Sequence, residues 1–215
     1  MTRSNPITGH PITGYQMTSL HEERLNKVCS VLKSTGARHV LDLGCGSGAL
    51  LNRLLDDPQF IKIVGLEKSG FLLAHVREKF SDHLNGNPPR LELLNGSYQQ
   101  RNTELQGFEA AAMVETIEHI APGALSTVEH TVFQYYRPAM LYMTTPNQEY
   151  NPVYGLEPGE FREPDHKFEW NREKFQRWCH GVANRNAYQV CFDGIGDSHP
   201  DYGQTTQAAY FTRRD

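Results

Sequence analysis

Apolar residues recur at two different spacings along the chain, and each spacing predicts one kind of secondary structure. From Leu25 to Leu32 they recur every three or four residues, which indicates an amphipathic helix. Ser19 and Glu22 have the spacing of a capping box and therefore predict that this helix begins at Ser19. Gly36 predicts that the helix ends close to that glycine.

Short apolar runs, separated by segments with helical spacing, follow this first helix. Such runs are typical of strands that are buried on both faces of a sheet. Five of them predict strands: HVLDL, IKIVGLE, RLELLNGS, EAAAMV and AMLYMTT. Helices are predicted between these strands, in the segments ALLNRLL, 69–80 and ALSTVEHTVFQYYR.

The last third of the chain has a less regular pattern. Residues 146–164 show no periodicity and predict an irregular segment. Asn171 predicts the start of a further helix, and Gly181 predicts its end. Two more strands are predicted at 188–192 and 207–212, and we expect them to form an antiparallel hairpin.

Strands and helices alternate through most of the chain, and this alternation predicts an α/β fold. Seven strands with helices between them fit a doubly wound, Rossmann-like sheet. A length of 215 residues favours one domain over two. We therefore expect a single domain over residues 19–215, preceded by a partly irregular N-terminal extension over residues 1–18.

The composition narrows the classes of function that fit this fold. A net charge of −4 argues against a protein that wraps long nucleic acids, because such proteins neutralise many phosphates with Lys and Arg. The sequence has no long apolar run and no secretory signal pattern, so we expect a soluble, cytoplasmic protein without a membrane partner. The four cysteines lack CxxC spacing, and we expect them to be reduced and structural.

A glycine-rich loop follows the first predicted strand. In DLGCGSGAL, Gly44 and Gly46 satisfy both the GxGxxG/A pattern of dinucleotide-binding loops and the tighter GxGxG pattern of nucleoside-binding methyltransferases. Glu67 ends the second strand, where its carboxylate can accept hydrogen bonds from ribose hydroxyls. A tight strand-to-helix turn that binds no ligand remains an alternative.

Two features favour S-adenosylmethionine over NAD as the ligand of this loop. Asp42 would place a carboxylate beside the ligand, which suits the ammonium group of S-adenosylmethionine and is unfavourable beside a pyrophosphate. Ser97 follows Gly96 at the end of the third strand, where its hydroxyl and the backbone can meet an adenine edge. NAD is therefore the weaker alternative.

The segment ETIEHI follows the fourth predicted strand. If it forms a helical turn, Glu115, Glu118 and His119 lie on one face, at the sheet edge where ligands bind in α/β folds. These residue types can bind a divalent metal, although a solvated acidic surface is the alternative. A later loop contains His166 beside Asp165, which could orient a ligand imidazole, or the two could simply pair with each other or with Arg162.

Four segments together resemble a known enzyme family. The segments DLGCGSG, ETIEHI, TTPNQEYN and DHKFEWNREKF are similar to those of the Hen-type (HUA-ENHANCER) small-RNA 2′-O-methyltransferases. The resemblance runs from about Ser19 to the end of the chain and implies the fold of class I S-adenosylmethionine-dependent methyltransferases. It implies that Glu115, Glu118, His119 and His166 are the metal ligands and the catalytic centre. It also implies donor binding by Glu67, where such enzymes more often have Asp, by Ser97 and by the backbone around Gly44 to Gly46.

The resemblance further implies the reaction and its participants. The methyl group of S-adenosylmethionine would go to the 2′-OH of the 3′-terminal ribose of RNA, with Mg²⁺, Mn²⁺ or Co²⁺ held beside the 2′- and 3′-oxygens. The RNA could be a small RNA or a cleaved transfer RNA, and bacterial relatives work with a polynucleotide kinase-phosphatase and ligase partner. DNA is not an expected substrate. A small-molecule methyltransferase or NAD enzyme and a non-catalytic module that binds RNA ends remain alternatives.

The DHKFEWNREKF region offers candidate contacts to RNA. Its cations could bind phosphates near the RNA terminus or form a solvated helix start; they are Arg162, Lys167, Arg172 and Lys174. Phe168 and Trp170 could stack on a terminal base, but we favour core packing for both.

Overall fold

The computed structural model describes residues 14–214, which form an α/β sandwich around one seven-stranded sheet. The strands are β1 (His39–Leu43), β2 (Lys62–Glu67), β3 (Leu91–Asn95), β4 (Ala110–Val114), β5 (Met140–Pro146), β6 (Tyr188–His199) and β7 (Gly203–Arg213). Their order in the sheet is β3-β2-β1-β4-β5-β7-β6. The first five strands are parallel, and β7 runs antiparallel between β5 and β6.

Residues 14–214 contain six α-helices, the first of which precedes β1 while the others lie between strands. The helices are α1 (Gly14–Ser34), α2 (Ala49–Asp56), α3 (Gly70–Lys79), α4 (Ser81–Leu84), α5 (Leu125–Glu129) and α6 (Arg172–Arg185). A π-helical turn, His130–Tyr136, extends α5. Four short 3-10 segments lie in the loops, at Thr103–Leu105, Ile117–His119, Pro122–Ala124 and Gln148–Tyr154.

The sheet buries apolar side chains on both faces, which explains the continuous apolar runs in the sequence. Successive residues of a strand point to opposite faces. Accordingly, Leu41 of β1 packs in the cluster that includes residues of α5 and α6, whereas Val40 packs in the cluster that includes residues of α1 and α2. The predicted α/β class, the seven strands and the C-terminal antiparallel hairpin are therefore confirmed.

Several predicted boundaries were wrong. Helix α1 begins at Gly14, so Ser19 lies inside the helix and does not cap it. Most of the predicted N-terminal extension lies outside the described residues. Helix α6 continues through Gly181 to Arg185, because Gly181 is not in the left-handed backbone conformation that ends a helix. The hairpin strands are longer than predicted because their pairing extends from Tyr188 to His199.

Within residues 14–214, none of the helices has both the length and the apolar character needed to cross a membrane.

Candidate functional site

A cavity of about 210 Å³ opens at the carboxyl ends of the first four strands. Four of the predicted site residues from β1 to β3 line it, namely Gly44, Gly46, Glu67 and Ser97. Glu115 and His119, which follow β4, line the same cavity. Because parallel strands end at one edge, residues that are far apart in sequence meet there, as predicted for a doubly wound sheet.

The glycine loop supports one wall of this cavity. The amide groups of Gly44 and Cys45 both donate to the carbonyl of Leu66, at 2.8 and 3.1 Å, which holds the loop against β2. Gly44 has a φ of 91°, and a Cβ there would lie 2.5 Å from Oγ1 of Thr116. Backbone conformation and lack of space therefore both require glycine at this position.

Glu67 is buried at the floor of the cavity and is held by backbone amides. The amide of Gly46 donates to its Oε2 at 3.1 Å, and the amide of Ser69 donates to its Oε1 at 2.7 Å. Each carboxylate oxygen has more than one acceptor site, so Glu67 can still accept hydrogen bonds from a ligand. This arrangement is suited to the two hydroxyls of a ribose.

Asp42 differs from the other predicted cofactor residues because it is buried within β1 and does not line the cavity. Burial and the charge of Glu67 raise its pKa to about 7. Its Oδ2 has no hydrogen-bond partner among residues 14–214. An orphaned carboxylate oxygen is costly in a protein interior, and a cationic group of a bound ligand would reduce that cost.

Three of the four predicted metal ligands converge beside the cavity. Glu118, His119 and His166 each offer one potential ligand atom, and these atoms all lie within 4.8 Å of one another. Glu118 is fully buried, and the hydroxyl of Thr145 donates to its Oε2 at 3.0 Å. Burial, together with the charge of Glu115, raises the pKa of Glu118. Its Oε1 has no partner in the described part of the chain.

Glu115 lies next to this group but is not part of it. The predicted helical turn that begins at Glu115 does not form, because the 3-10 turn starts only at Ile117. Glu115 instead has a left-handed φ of 47°, and its Oε2 lies 3.2 Å from a guanidinium nitrogen of Arg24 in α1. The other oxygen, Oε1, is buried without a partner among the described residues. Glu115 therefore has one oxygen available to a ligand.

Each histidine of the group contacts a carboxylate. Nδ1 of His166 lies 2.6 Å from Oε1 of Glu169, and Nδ1 of His119 lies 3.0 Å from Oδ2 of Asp165. Asp165 therefore lies beside the ring nitrogen of His119 and not beside that of His166, the neighbour for which it was predicted. Burial lowers the pKa of His119, which favours the neutral form of this ring. Sequence reasoning missed Glu169, although its position three residues after His166 was an available signal.

Hydrogen bonds place the later loop against the residues that follow β4. The amide of Lys167 donates to the carbonyl of Glu118 at 2.7 Å, which joins the two segments that carry the potential ligands. Gln148, after β5, donates to the carbonyl of Trp170 at 3.1 Å. The spacing of ETIEHI and DHKFEW in the sequence gives no sign of these contacts.

The predicted phosphate-binding role of Arg162 does not fit the structure. Its Nε donates to Oδ1 of Asn151 at 2.7 Å, and its Nη1 donates to the carbonyl of Thr205 at 2.9 Å. Its Nη2 donates to the carbonyl of Asn147. All three nitrogens are therefore occupied by contacts inside the protein. These contacts hold the loop from β5 to α6 around the side chain of Arg162.

The other predicted RNA contacts are divided between internal and exposed positions. Phe168 and Trp170 are buried and stacked, with ring centroids 4.3 Å apart, so the core packing that we favoured is confirmed. Arg172 pairs with Glu149. Lys174 lies over the ring of Trp170, and Lys167 is exposed.

The donor set fits a divalent cation. Glu118, His119 and His166 supply one carboxylate and two imidazoles, the oxygen and nitrogen ligands that Mn²⁺ and related ions accept, and Glu115 places a second carboxylate next to them. Glu115 and Glu118 each keep one buried oxygen without a partner in the described residues, and such oxygens are expected where a cation binds. The residues present therefore fit both a nucleoside ligand and a metal ion.

Comparison with known proteins identifies the fold and the family. A methyltransferase domain model matches residues 41–138. Among curated proteins, the small RNA 2′-O-methyltransferase of Mus musculus is 34% identical over 90% of the chain, and 51% of that relative is covered. The chain spans about half the length of the curated relatives that it first matches.

Solved structures give a closer match in length. The methyltransferase domain of bacterial CtHen1-C has a TM-score of 0.82 and 36% identity, over 91% of this chain and 100% of that one. A chain of the Pnkp1/Rnl/Hen1 RNA repair complex has a TM-score of 0.67 and 20% identity, over 92% of this chain and 42% of that one, which shows the fold alone. The chain therefore belongs to the Hen1 family of S-adenosylmethionine-dependent methyltransferases.

Proposed function

We propose that this domain transfers a methyl group from S-adenosylmethionine to the 2′-OH of the 3′-terminal ribose of RNA. One observation carries the proposal. Glu67 and Ser97, which suit a nucleoside, line the same cavity as Glu115 and His119 of the metal-binding set. A single cavity can therefore hold the methyl donor beside the hydroxyl that receives the methyl group.

The residues of the chain divide the work between donor and acceptor. The carboxylate of Glu67 holds the donor ribose, and Ser97 meets the adenine edge. Asp42 supplies negative charge for the ammonium group of the donor. Glu115, Glu118, His119 and His166 hold a divalent cation, which is Mg²⁺, Mn²⁺ or Co²⁺ and when bound supplies Lewis acidity toward the acceptor hydroxyl.

The reaction itself is an in-line displacement at the methyl carbon. A bond forms between the 2′-oxygen and the methyl carbon while the bond from that carbon to sulfur breaks. The sulfur keeps the electron pair and leaves as S-adenosylhomocysteine, and the hydroxyl proton passes to water. Holding two reactants in line contributes roughly 7–11 kcal/mol in favourable cases. We therefore assign the main contribution of the protein to orientation of the ribose and the sulfonium.

A methyl-transfer assay with matched RNA ends tests the proposal. Tritiated S-adenosylmethionine is incubated with a short RNA that ends in a free 2′,3′-diol, in 2′-deoxyribose or in a 3′-phosphate, with and without Mn²⁺. Only the diol end should be labelled, only with metal, and nuclease mapping should place the label on the last nucleotide. Equal labelling of the 3′-phosphate end would contradict recognition of the two vicinal oxygens.

The same assay separates the alternatives. RNA binding without methyl transfer in Mg²⁺, Mn²⁺ and Co²⁺ would support a non-catalytic module that binds RNA ends. Methyl transfer to small molecules but not to RNA would support a small-molecule methyltransferase. The potential metal ligands that follow β4 favour the RNA reaction, because a vicinal diol is a natural bidentate partner for a bound cation.

We also propose a repair context and a cytoplasmic location. In the solved Pnkp1/Rnl/Hen1 structure, Hen1 is part of an RNA repair complex, and the shared fold makes a kinase-phosphatase and ligase partner a reasonable candidate for this chain. All four cysteines are free, which agrees with a reducing compartment. Co-purification with such partners would test the assembly.

A further inference from the structure

Two carboxylates outside the proposed ligand set contact the two proposed histidine ligands through the same ring nitrogen. Oε1 of Glu169 lies 2.6 Å from Nδ1 of His166, and Oδ2 of Asp165 lies 3.0 Å from Nδ1 of His119. The contact between His166 and Glu169 has hydrogen-bond geometry, and an ionised carboxylate can only accept, so Nδ1 of His166 carries the donated proton. The contact between His119 and Asp165 is an ion-pair distance, and a carboxylate at 3.0 Å favours a proton on the Nδ1 that faces it. In a neutral imidazole the other nitrogen, Nε2, is then free of a proton.

We infer that Asp165 and Glu169 are positioning residues that hold both rings in the tautomer that binds metal through Nε2. The inference rests on the proposed function, because it takes His119 and His166 as ligands of the cation. Neither carboxylate belongs to the ligand set. Each acts through the ring that it contacts, by fixing both its orientation and the nitrogen that faces the ion.

The geometry of the two rings supports this role. Their centroids lie 5.0 Å apart and their planes are inclined by 73°, so the two rings are in direct edge-to-face contact. Potential ligand atoms of both rings lie within 4.8 Å of one another and of Glu118. Without the carboxylates, either ring could rotate and present the wrong nitrogen.

The two carboxylates are held very differently, which predicts unequal effects. Glu169 has a fully buried side chain, and it also accepts from Nδ2 of Asn151 at 2.6 Å and from the amide of Arg162 at 2.7 Å. The side chain of Asp165 is 70% exposed. Solvent weakens a contact at an exposed carboxylate, so Glu169 should constrain its histidine more strongly than Asp165 does.

Metal titration of the metal-free protein tests the inference without an activity assay. Isothermal titration with Mn²⁺ is compared for the wild type, Glu169→Gln, Asp165→Asn and the control Glu163→Gln. Glu163 lies in the same loop, is exposed and makes no side-chain hydrogen bond or ion pair with either ring, so Glu163→Gln reports the effect of one lost charge. Thermal unfolding of each variant measures its stability separately.

Glu169→Gln should raise the Kd for Mn²⁺ about 10- to 100-fold, the usual effect of removing a carboxylate that orients a ligand histidine. Asp165→Asn should raise it less, and Glu163→Gln least. An equal Kd for Glu169→Gln and Glu163→Gln would overturn the inference. A Kd for Asp165→Asn above that of Glu163→Gln would support the inference. Because Asp165 is exposed, its substitution is not expected to disturb folding.

Nitrogen NMR of the imidazoles provides the second readout. In the metal-free wild type, His119 and His166 should both carry the proton on Nδ1, and Glu169→Gln should reduce that preference at His166. Protons on Nε2 in the wild type would overturn the inference but leave the proposed reaction intact. Failure of the wild type to bind Mn²⁺ at all, with the Nδ1 tautomers present, would instead contradict the metal-dependent function.

Discussion

At the scale of single residues, the site contains carboxylates that are costly to bury, and the groups around them satisfy only some of their oxygens. Glu115 and Glu118 each keep a buried oxygen without a partner in the described part of the chain, and so does Asp42. The sequence indicated these residues because acids at strand ends are unusual inside a core. It could not show Arg24, because the role of Arg24 depends on a contact with Glu115, which is distant in the sequence. Glu169 lies only three residues after His166, and this spacing was a signal that sequence reasoning missed.

Asp42→Asn should change how stability depends on pH. The pKa of Asp42 in the folded protein is about 7, above its ordinary value of 3.8, so the unfolded chain ionises first as the pH rises. The folded wild type should therefore lose stability as the pH rises from about 3.8 to about 7, and the variant should not show this loss. Urea unfolding of both proteins at pH 5 and pH 8 should show the variant gaining relative stability at pH 8. A constant difference between the two pH values would refute the burial argument.

Glu118→Gln should separate metal binding from donor binding. Gln can still accept from Thr145 Oγ1 and fills a similar volume, but it removes the charge that a cation requires. Methyl transfer to RNA should fall at least about 100-fold, while the affinity for S-adenosylmethionine measured by calorimetry stays close to that of the wild type. Near-normal turnover would remove Glu118 from the ligand set.

At the scale of elements, the chain order of strands and helices was predictable, and several of their ends were not. Apolar runs determine β1 to β5 because strands buried on both faces need apolar residues at almost every position. Ser19 was misleading because a capping-box spacing can also occur inside a helix such as α1, which begins at Gly14. The turn after β4 was predicted as helical, but the left-handed Glu115 delays the turn to Ile117.

Gly44→Ala tests whether the glycine loop is shaped by close contact with the turn after β4. An added Cβ would lie 2.5 Å from Thr116 Oγ1, in addition to the strain of a φ of 91°. Gly36→Ala is a matched control, because Gly36 has a φ of 74° but no atom within 4 Å of the added Cβ. Both variants should lose roughly 1–2 kcal/mol of stability from the backbone conformation, and Gly44→Ala should lose more. Only Gly44→Ala should weaken binding of S-adenosylmethionine; equal affinities for the two variants would contradict the loop assignment.

At the scale of the whole molecule, the charge of the protein fits the proposed short contact with RNA better than a long one. The net charge is −4, the guanidinium group of Arg162 is occupied by contacts inside the protein, and the partly exposed Arg172 pairs with Glu149. Lys68, in the cavity wall, and Lys167 are exposed cations near the site. This balance agrees with recognition of an RNA terminus, where only a few phosphates lie near the protein.

The salt dependence of RNA binding tests this view of the surface. The logarithm of the binding affinity falls linearly with the logarithm of the salt concentration. Each single-strand phosphate that the protein neutralises makes this slope steeper by about 0.7. Filter binding of an RNA with a free diol end, from low to moderate salt, should give a slope of about 2 or less, equivalent to no more than about three phosphates. A much steeper slope would reveal an extended RNA-binding track.

The central claim is that two distant segments of the chain hold one divalent cation beside the methyl donor. Crystals of the protein grown with Mn²⁺ and S-adenosylhomocysteine, measured near the manganese absorption edge, test it most directly. We predict one anomalous peak among Glu115, Glu118, His119 and His166, next to a nucleoside that contacts Glu67. A bound nucleoside with no anomalous peak among these four side chains would contradict the claim.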